Sequence, residues 1–451
     1  MFKRLLFAAM LALCAATWCS AAPQKGTNEY TTRLGKYKVV ATTNRPRAWA
    51  KAGDEVKIAV KVESKLPGFA SAQLFVNGLE QGKARIMKFG ETEEFSAKAK
   101  TPGTVSVICT ILDENRKPVL NARKRRVVGG LGVRVDPWKI RPGNPNCPAD
   151  FDEFWATKRA ELNQVPVQAT RKEVKLSKKD AAKYPNVVCY DVKVDCAGGA
   201  PVSGYLCMPR GAEPKSLPAV VFFHGAGVRS AIKRADYGSK AIAFDVNAHG
   251  IENGKPAKFY KALSDGKLKS YWHRGYDNHE NIYFVGMYMR VMRAMDYVKS
   301  LPEWDGKTPI VCGGSQGGAQ TIAAAALDSQ VTLAVPGVPA LCDLGGKLAK
   351  RRPGWPIHFM RPTQKQTDPA LINEAAYVDG VFFAQRIKCP VFFSTGGIDN
   401  TCHATSVFAA YNSVPGKDGK NKHILYHPTG DHGSSPSKPG YARIRKIIGL
   451  K

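Results

Sequence analysis

The stretch that decides the fold runs Pro309-Ile310-Val311-Cys312-Gly313-Gly314-Ser315-Gln316-Gly317-Gly318-Ala319-Gln320-Thr321-Ile322-Ala323-Ala324-Ala325-Ala326-Leu327. It opens with a short β-branched apolar run, turns on glycines around one serine, and continues into an alanine-rich segment of high helix propensity. The turn, Gly313-Gly314-Ser315-Gln316-Gly317, is G-x-S-x-G between a strand and a helix, the context that the nucleophile-elbow motif requires. The glycines let the chain reverse sharply, so that Ser315 projects above the strand ends with its Oγ exposed. A serine hydroxyl is a poor nucleophile at neutral pH, so the rest of the chain has to supply a base.

Working outward, apolar strands alternate with helical segments. The pattern predicts strands over Ala219–Phe223, Lys240–Val246, Pro309–Cys312, Val331–Val335 and Val391–Thr395, and helices over Phe151–Leu162, Tyr283–Leu301 and Gly317–Leu327. Continuous rather than alternating apolar strands mean a sheet covered on both faces. The expectation for residues 151–451 is therefore an α/β architecture, a mostly parallel sheet flanked by helices. In that architecture the catalytic order along the chain is Ser, Asp or Glu, His. Asp399 follows the strand Val391–Thr395, and His432 stands in Thr429-Gly430-Asp431-His432-Gly433, whose Gly and Asp neighbours suggest an exposed, mobile tip. His403, His423 and His427 compete with His432, and Asp431 and Asp343 compete with Asp399. The loop His224-Gly225-Ala226-Gly227 follows the strand Ala219–Phe223 and can aim a backbone N–H into the site; the amide of Gln316 is the second expected oxyanion donor.

The first half of the chain reads differently. Short runs at Tyr37–Ala41, Glu55–Val62, Gln73–Val76, Glu94–Ala99, Thr104–Leu112 and Val127–Val135, separated by turns such as Asn77-Gly78 and Pro102-Gly103, predict a small all-β immunoglobulin-like sandwich over residues 30–136. The Pro- and Asn-rich residues 137–150 are read as a linker. Ahead of both, Lys3 and Arg4, an apolar run to Trp18, and Ala21 predict a signal peptide over residues 1–21 and an exported protein, periplasmic or extracellular.

With 451 residues, 44% hydrophobic and 23% charged, the composition excludes a disordered chain, a collagen and a multi-span membrane protein. Nine cysteines follow the signal segment, at least one of which must be free, and none has zinc-ligand spacing; no metal or cofactor is expected. The formal charge is +30, unevenly spread: residues 23–141 hold 24 Lys+Arg against 11 Asp+Glu, and the following 310 residues hold 41 against 26. The basic β-region, ending in Arg123-Lys124-Arg125-Arg126, suggests an anionic polysaccharide as partner; a complete serine triad and export argue against nucleic acid.

From Cys147 onward the chain resembles the acetyl xylan esterase / cephalosporin C deacetylase family of α/β-hydrolases. The resemblance rests on Gly313–Gly318 with its helix and Leu327-Asp328, on Val338-Pro339-Ala340-Leu341-Cys342-Asp343, on Arg386-Ile387-Lys388-Cys389-Pro390-Val391, and on Val407-Phe408-Ala409-Ala410-Tyr411-Asn412. Carried over by position, it implies Ser315 as nucleophile, Asp399 and His432 as the rest of the triad, and the amides of Ala226 and Gln316 as the oxyanion hole. It also implies O-acetyl groups of carbohydrate, such as xylan or its oligosaccharides, as substrate. The chain departs from the family pattern at Asn247-Ala248-His249 in place of Arg-Gly-Gln, at Asn400–Thr405 where a Pro pair is usual, at His432-Gly433 in place of His-Glu, and at Ala226 where Tyr is common. The alternatives are a peptidase or uronic-acid esterase on the same fold, and an inactive carbohydrate-binding protein.

Overall fold

The strand Leu217–Phe223 shows how the molecule is layered. Its Ala219, Val221 and Phe223 join the largest apolar core, under the helices Tyr283–Ser300, Gln316–Leu327 and Ala404–Ser413. Val220 and Phe222 point the other way, onto Tyr237 and the C-terminal helix Lys438–Ile447 through Ile444. Successive side chains of a strand face opposite sides, so a run apolar at every position must be covered twice. The computed structural model describes residues 28–122, 124–357, 359 and 367–450; the signal peptide expected over residues 1–21 lies outside the described residues.

This strand sits within a nine-stranded sheet. In spatial order the strands are Ala169–Glu173, Val187–Val194, Val202–Pro209, Ile242–Val246, Leu217–Phe223, Trp304–Gly314, Leu333–Gly337, Val391–Gly396 and Lys422–His427. The first three pairings are antiparallel and the other five parallel, so the sheet is mixed, an α/β-hydrolase-like architecture flanked by helices. The antiparallel edge was not anticipated. Its outermost strand, Ala-Thr-Arg-Lys-Glu, is exposed at every position and has no apolar face to betray it. The long helix stops at Ser300 rather than Leu301, because Pro302 pushes the residue before it out of the helical region.

The N-terminal region is all β. A four-stranded sheet, Glu29–Leu34, Tyr37–Thr43, Glu55–Glu63 and Thr92–Lys98, faces a five-stranded one, Trp49–Ala50, Val128–Val135, Gly103–Leu112, Phe69–Val76 and Leu79–Lys88. Val39, Ile58, Val60 and Phe95 from the first share a core with Ala72, Val105, Val107 and Leu131 from the second. The strand Leu79–Lys88 was not predicted, since eight of its ten residues lie exposed or nearly so on a hairpin edge.

The two regions are bolted together beside the sheet's C-terminal ends. Gly132 donates its N–H to the Pro428 carbonyl at 2.8 Å, and Arg352 donates its own to Asn77 O at 2.9 Å. Phe75 and Ile108 pack on Ile398. A Cβ on Gly132 would stand 2.2 Å from Gly397 O, so only glycine permits this approach. The stretch read as a linker is pinned as well: Asn412 Nδ2 donates to Pro137 O and Ile140 O, and Gly143 N–H donates to Asp343 Oδ1 at 2.6 Å.

Candidate active site

The parallel strands end on one rim, where open α/β sheets place their ligands. Trp304–Gly314 delivers Ser315 there with φ 59° and ψ −124°, a backbone conformation costly for a non-glycine residue. Its surroundings hold it in place: Ser315 N–H donates to Gly337 O at 2.9 Å, and Ser315 O accepts from Gly318 N–H at 2.8 Å and Ala340 N–H at 2.9 Å. Gly317 is obligatory, since a Cβ would stand 2.0 Å from Phe223 O. Ser315 itself is half-buried, with the chain turning into the helix immediately after it.

The structure brings Asp399 and His432 to this serine. His432 Nε2 lies 3.0 Å from Ser315 Oγ, and His432 Nδ1 lies 2.8 Å from Asp399 Oδ2. The Asp399 side chain is fully buried and its other oxygen, Oδ1, accepts the N–H groups of Thr401 and Cys402 at 2.8 and 2.9 Å. Those two donors stabilise the carboxylate and fix which oxygen faces the imidazole. The residues occupying the place of the missing Pro pair thus do their work through backbone amides.

His432 does not stand on the mobile tip that its Gly and Asp neighbours suggest. Its loop is closed rather than loose: Gly433 N–H donates to Asp431 Oδ1, Asp431 N–H to Ser434 Oγ, and Ser435 Oγ to Asp431 O. Asp431 spends its carboxylate on this turn. The competing residues lie elsewhere: His403 caps the helix Ala404–Ser413, His423 stacks on Phe392 at 4.4 Å, His427 Nε2 bonds Pro436 O, and Asp343 pairs with Arg351.

The oxyanion side lies against the elbow. A Cβ on Gly225 would be 3.2 Å from Gly314 O and 3.4 Å from Ser315 Cβ. Ala226 follows it, exposed, while Gln316 is buried at the first turn of its helix. Among the described residues neither of these amides is spent on another hydrogen bond. Gln316 Oε1 accepts from Tyr271 OH, whose acidity burial suppresses.

His224 is a residue that sequence reasoning quoted without giving it a role. Its Nδ1 is 2.7 Å from Gly225 O and its Nε2 accepts Ala248 N–H at 3.2 Å, which makes Nδ1 the protonated nitrogen. Burial pushes its pKa down to about 4, so the ring stays neutral and holds the loop's first residue. His249, from the departing Asn-Ala-His segment, is likewise held neutral by burial, at about 3, with Nδ1 on Tyr283 OH at 2.8 Å. A histidine directly after an apolar strand and before a glycine was the available signal.

Among the described residues no group of three or more His, Cys, Asp or Glu side chains could hold a metal ion. All nine described cysteines are free thiols, seven of them buried.

Known proteins with related sequences and folds narrow what such a site does. A family model for acetyl xylan esterase (AXE1) matches residues 138–438. The acetyl esterase Axe7A of Xylanibacter ruminicola is 33% identical over 318 residues, 69% of each chain. The acetyl xylan esterase from Paenibacillus sp. R4 superposes with a TM-score of 0.57 at 27% identity, over 69% of this chain and 98% of that one. Acetyl xylan esterase 1 from Thermoanaerobacterium sp. JW/SL YS485 shares the fold, with a TM-score of 0.55 at 23% identity, over 70% of this chain and 97% of the other. The chain belongs to the acetyl xylan esterase family and is a carboxylic ester hydrolase.

Proposed function

We propose that the protein removes O-acetyl groups from carbohydrate by two-step acyl transfer at Ser315, with acetylated xylan or its oligosaccharides as the substrate class. The observation that carries the reading is the unbroken chain Ser315 Oγ, His432, Asp399 at 3.0 and 2.8 Å. His432 Nε2 takes the serine proton as Oγ attacks the ester carbonyl. The oxygen of that carbonyl becomes an oxyanion facing the amides of Ala226 and Gln316, and each such donor is worth about 10² to 10³ in rate. Collapse breaks the bond to the sugar oxygen, which leaves with the proton from His432. Water then attacks the acetyl-serine and gives a proton to His432; collapse breaks the acetyl–Oγ bond, His432 returns the proton to Ser315 Oγ, and acetate leaves. Asp399 holds the imidazole in the tautomer with Nδ1 protonated and stabilises the cation formed in each step.

The acetyl ester hydrolysed by the Xylanibacter relative and the xylan named for the Paenibacillus relative support this choice of substrate. Ser315→Ala tests it. Acetate release from acetylated xylan is expected to fall to background while the folded protein keeps its circular dichroism spectrum; turnover near that of the parent overturns the assignment.

The remaining organisation belongs to the same proposal. Residues 1–21 are a signal peptide for export, residues 30–136 an immunoglobulin-like accessory domain, and residues 151–451 the catalytic domain. No helix among the described residues is long and apolar enough to cross a membrane.

A further inference from the structure

Beside the catalytic histidine stands a cation that the triad does not use. In the N-terminal region, the segment after the strand Gly103–Leu112 folds into a small hairpin: Leu112 bridges Pro118, Leu120 bridges Arg126, and Val127 N–H donates to Val119 O. Its tip is closed by Asn121, which donates its N–H to Arg125 O at 2.8 Å and accepts Arg125 N–H on Oδ1 at 3.1 Å. The Arg125 side chain reaches across to the other region. Its Nη2 lies 3.5 Å from where a Cβ on Gly433 would stand, one residue beyond His432.

Three features make this a built position rather than a stray surface charge. First, the hairpin's parent sheet is fixed to the loops bearing Asp399 and His432 by the bond from Gly132 to Pro428 and by Ile398 packing on Phe75 and Ile108. Second, Arg125 makes no ion pair among the described residues, and Asp431, whose Oδ1 lies 3.6 Å from the same Cβ position, uses that oxygen to accept Gly433 N–H. Third, Lys124 and Arg126 flank it, exposed, in a region carrying 24 Lys+Arg against 11 Asp+Glu over residues 23–141. An exposed guanidinium with free donors matches a carboxylate in bidentate geometry better than a lysine does. From Arg125 Nη2 across the 3.5 Å gap to the Cβ position of Gly433, and then along His432 to its 3.0 Å contact with Ser315 Oγ, the guanidinium is at most roughly 16 Å from that oxygen, within the reach of a short oligosaccharide.

Resting on the deacetylase reading above, we propose that Arg125 is a specificity residue supplied by the β-region, binding the carboxylate of a uronic-acid sugar that lies within two or three residues of the acetylated one. The preferred substrate is then an acidic acetylated glycan rather than a neutral one, and the β-region takes part in substrate choice at the catalytic mouth.

The test compares acetylated xylo-oligosaccharides bearing glucuronic-acid side chains with the same oligosaccharides after reduction of the carboxyl to an alcohol. The readout is the ratio of kcat/KM, acidic over neutral, at low salt. The full-length mature protein is expected to favour the acidic form about 3- to 10-fold, the scale of one partly exposed charge pair, with the preference fading as salt screens it. Arg125→Ala brings the ratio near one, Arg125→Glu inverts it, and Arg125→Lys retains part of it. An unchanged ratio in Arg125→Ala, or a ratio of one in the parent, overturns the inference while leaving the deacetylase reading intact. Absence of acetate release from both glycans overturns the deacetylase reading and this inference with it.

Discussion

Asp399→Asn is the most informative single change, because the structure dictates which way the new amide must face. Asp399 Oδ1 accepts two backbone N–H groups, from Thr401 at 2.8 Å and Cys402 at 2.9 Å, and Oδ2 faces His432 Nδ1 at 2.8 Å. An asparagine of the same shape must leave its carbonyl oxygen on the two amides; the flipped rotamer would set NH2 against two donors in a fully buried place, at roughly 1–3 kcal/mol for each unsatisfied group. Its NH2 therefore points at His432 Nδ1, which must now accept. That forces the proton onto Nε2, the nitrogen 3.0 Å from Ser315 Oγ, so the ring can no longer take the serine proton. The expected loss in kcat is about 10³ to 10⁴, the scale seen when a triad imidazole is held in the wrong tautomer, with little change in KM. Steady-state hydrolysis of 4-nitrophenyl acetate, with thermal unfolding to establish that the variant is folded, measures it. A loss of less than tenfold would overturn this assignment, since it means that His432 still works as a base without its buried acid.

The other predictions concern how the site is held. Ile398→Ala removes a buried side chain from its contacts with Phe75 and Ile108, and should cost about 2–4 kcal/mol in unfolding free energy by denaturant titration. Its kcat should also fall, because Asp399 is the next residue; an unchanged kcat means the β-region does not steady that loop. Gly132→Ala must push Gly397 O away from a 2.2 Å contact, and should lower both melting temperature and kcat. His403 is held neutral by burial, at about 3 against an ordinary 6.5, so between those values the unfolded chain binds a proton that the folded one refuses. Its contribution is whole above about pH 6.5 and is lost as pH falls toward 3, in the same direction as His224 and His249. Asp379, pushed up to about 7 by burial, works the opposite way, gaining stability as pH falls through that value. His403→Asn keeps a helix-capping side chain and leaves Asp379 alone, so its melting temperature should fall less between about pH 7 and 4.5 than the parent's; parallel curves contradict this account.

What could be seen in the sequence follows from what each feature demands of its residues. The elbow must have glycine at Gly317 because Phe223 O leaves no room, and a covered strand must be apolar on both faces, so both are written locally. The order Ser315, Asp399, His432 is imposed by which strand ends meet on the rim. The strand Ala169–Glu173 was invisible because an exposed antiparallel edge needs no apolar alternation, and Leu79–Lys88 for the same reason. The docking of the β-region on the Asp399 loop left no local trace at all. It depends on pairs such as Gly132 with Pro428 and Phe75 with Ile398, some 300 residues apart, and only the folded chain joins them. His224 could be read as part of a loop, but its task of holding Gly225 appears only once Ala248 is seen to donate to its far nitrogen.

The proposed deacetylation requires acetyl to pass through Ser315. Rapid mixing with excess 4-nitrophenyl acetate, acid quenching in the first turnover and mass analysis of the digested protein should find an acetyl group on the peptide carrying Ser315, together with a burst of nitrophenolate matching the enzyme concentration. The Ser315→Ala protein should show neither. A burst that persists in that variant, or an acetyl group found on another residue, contradicts the account.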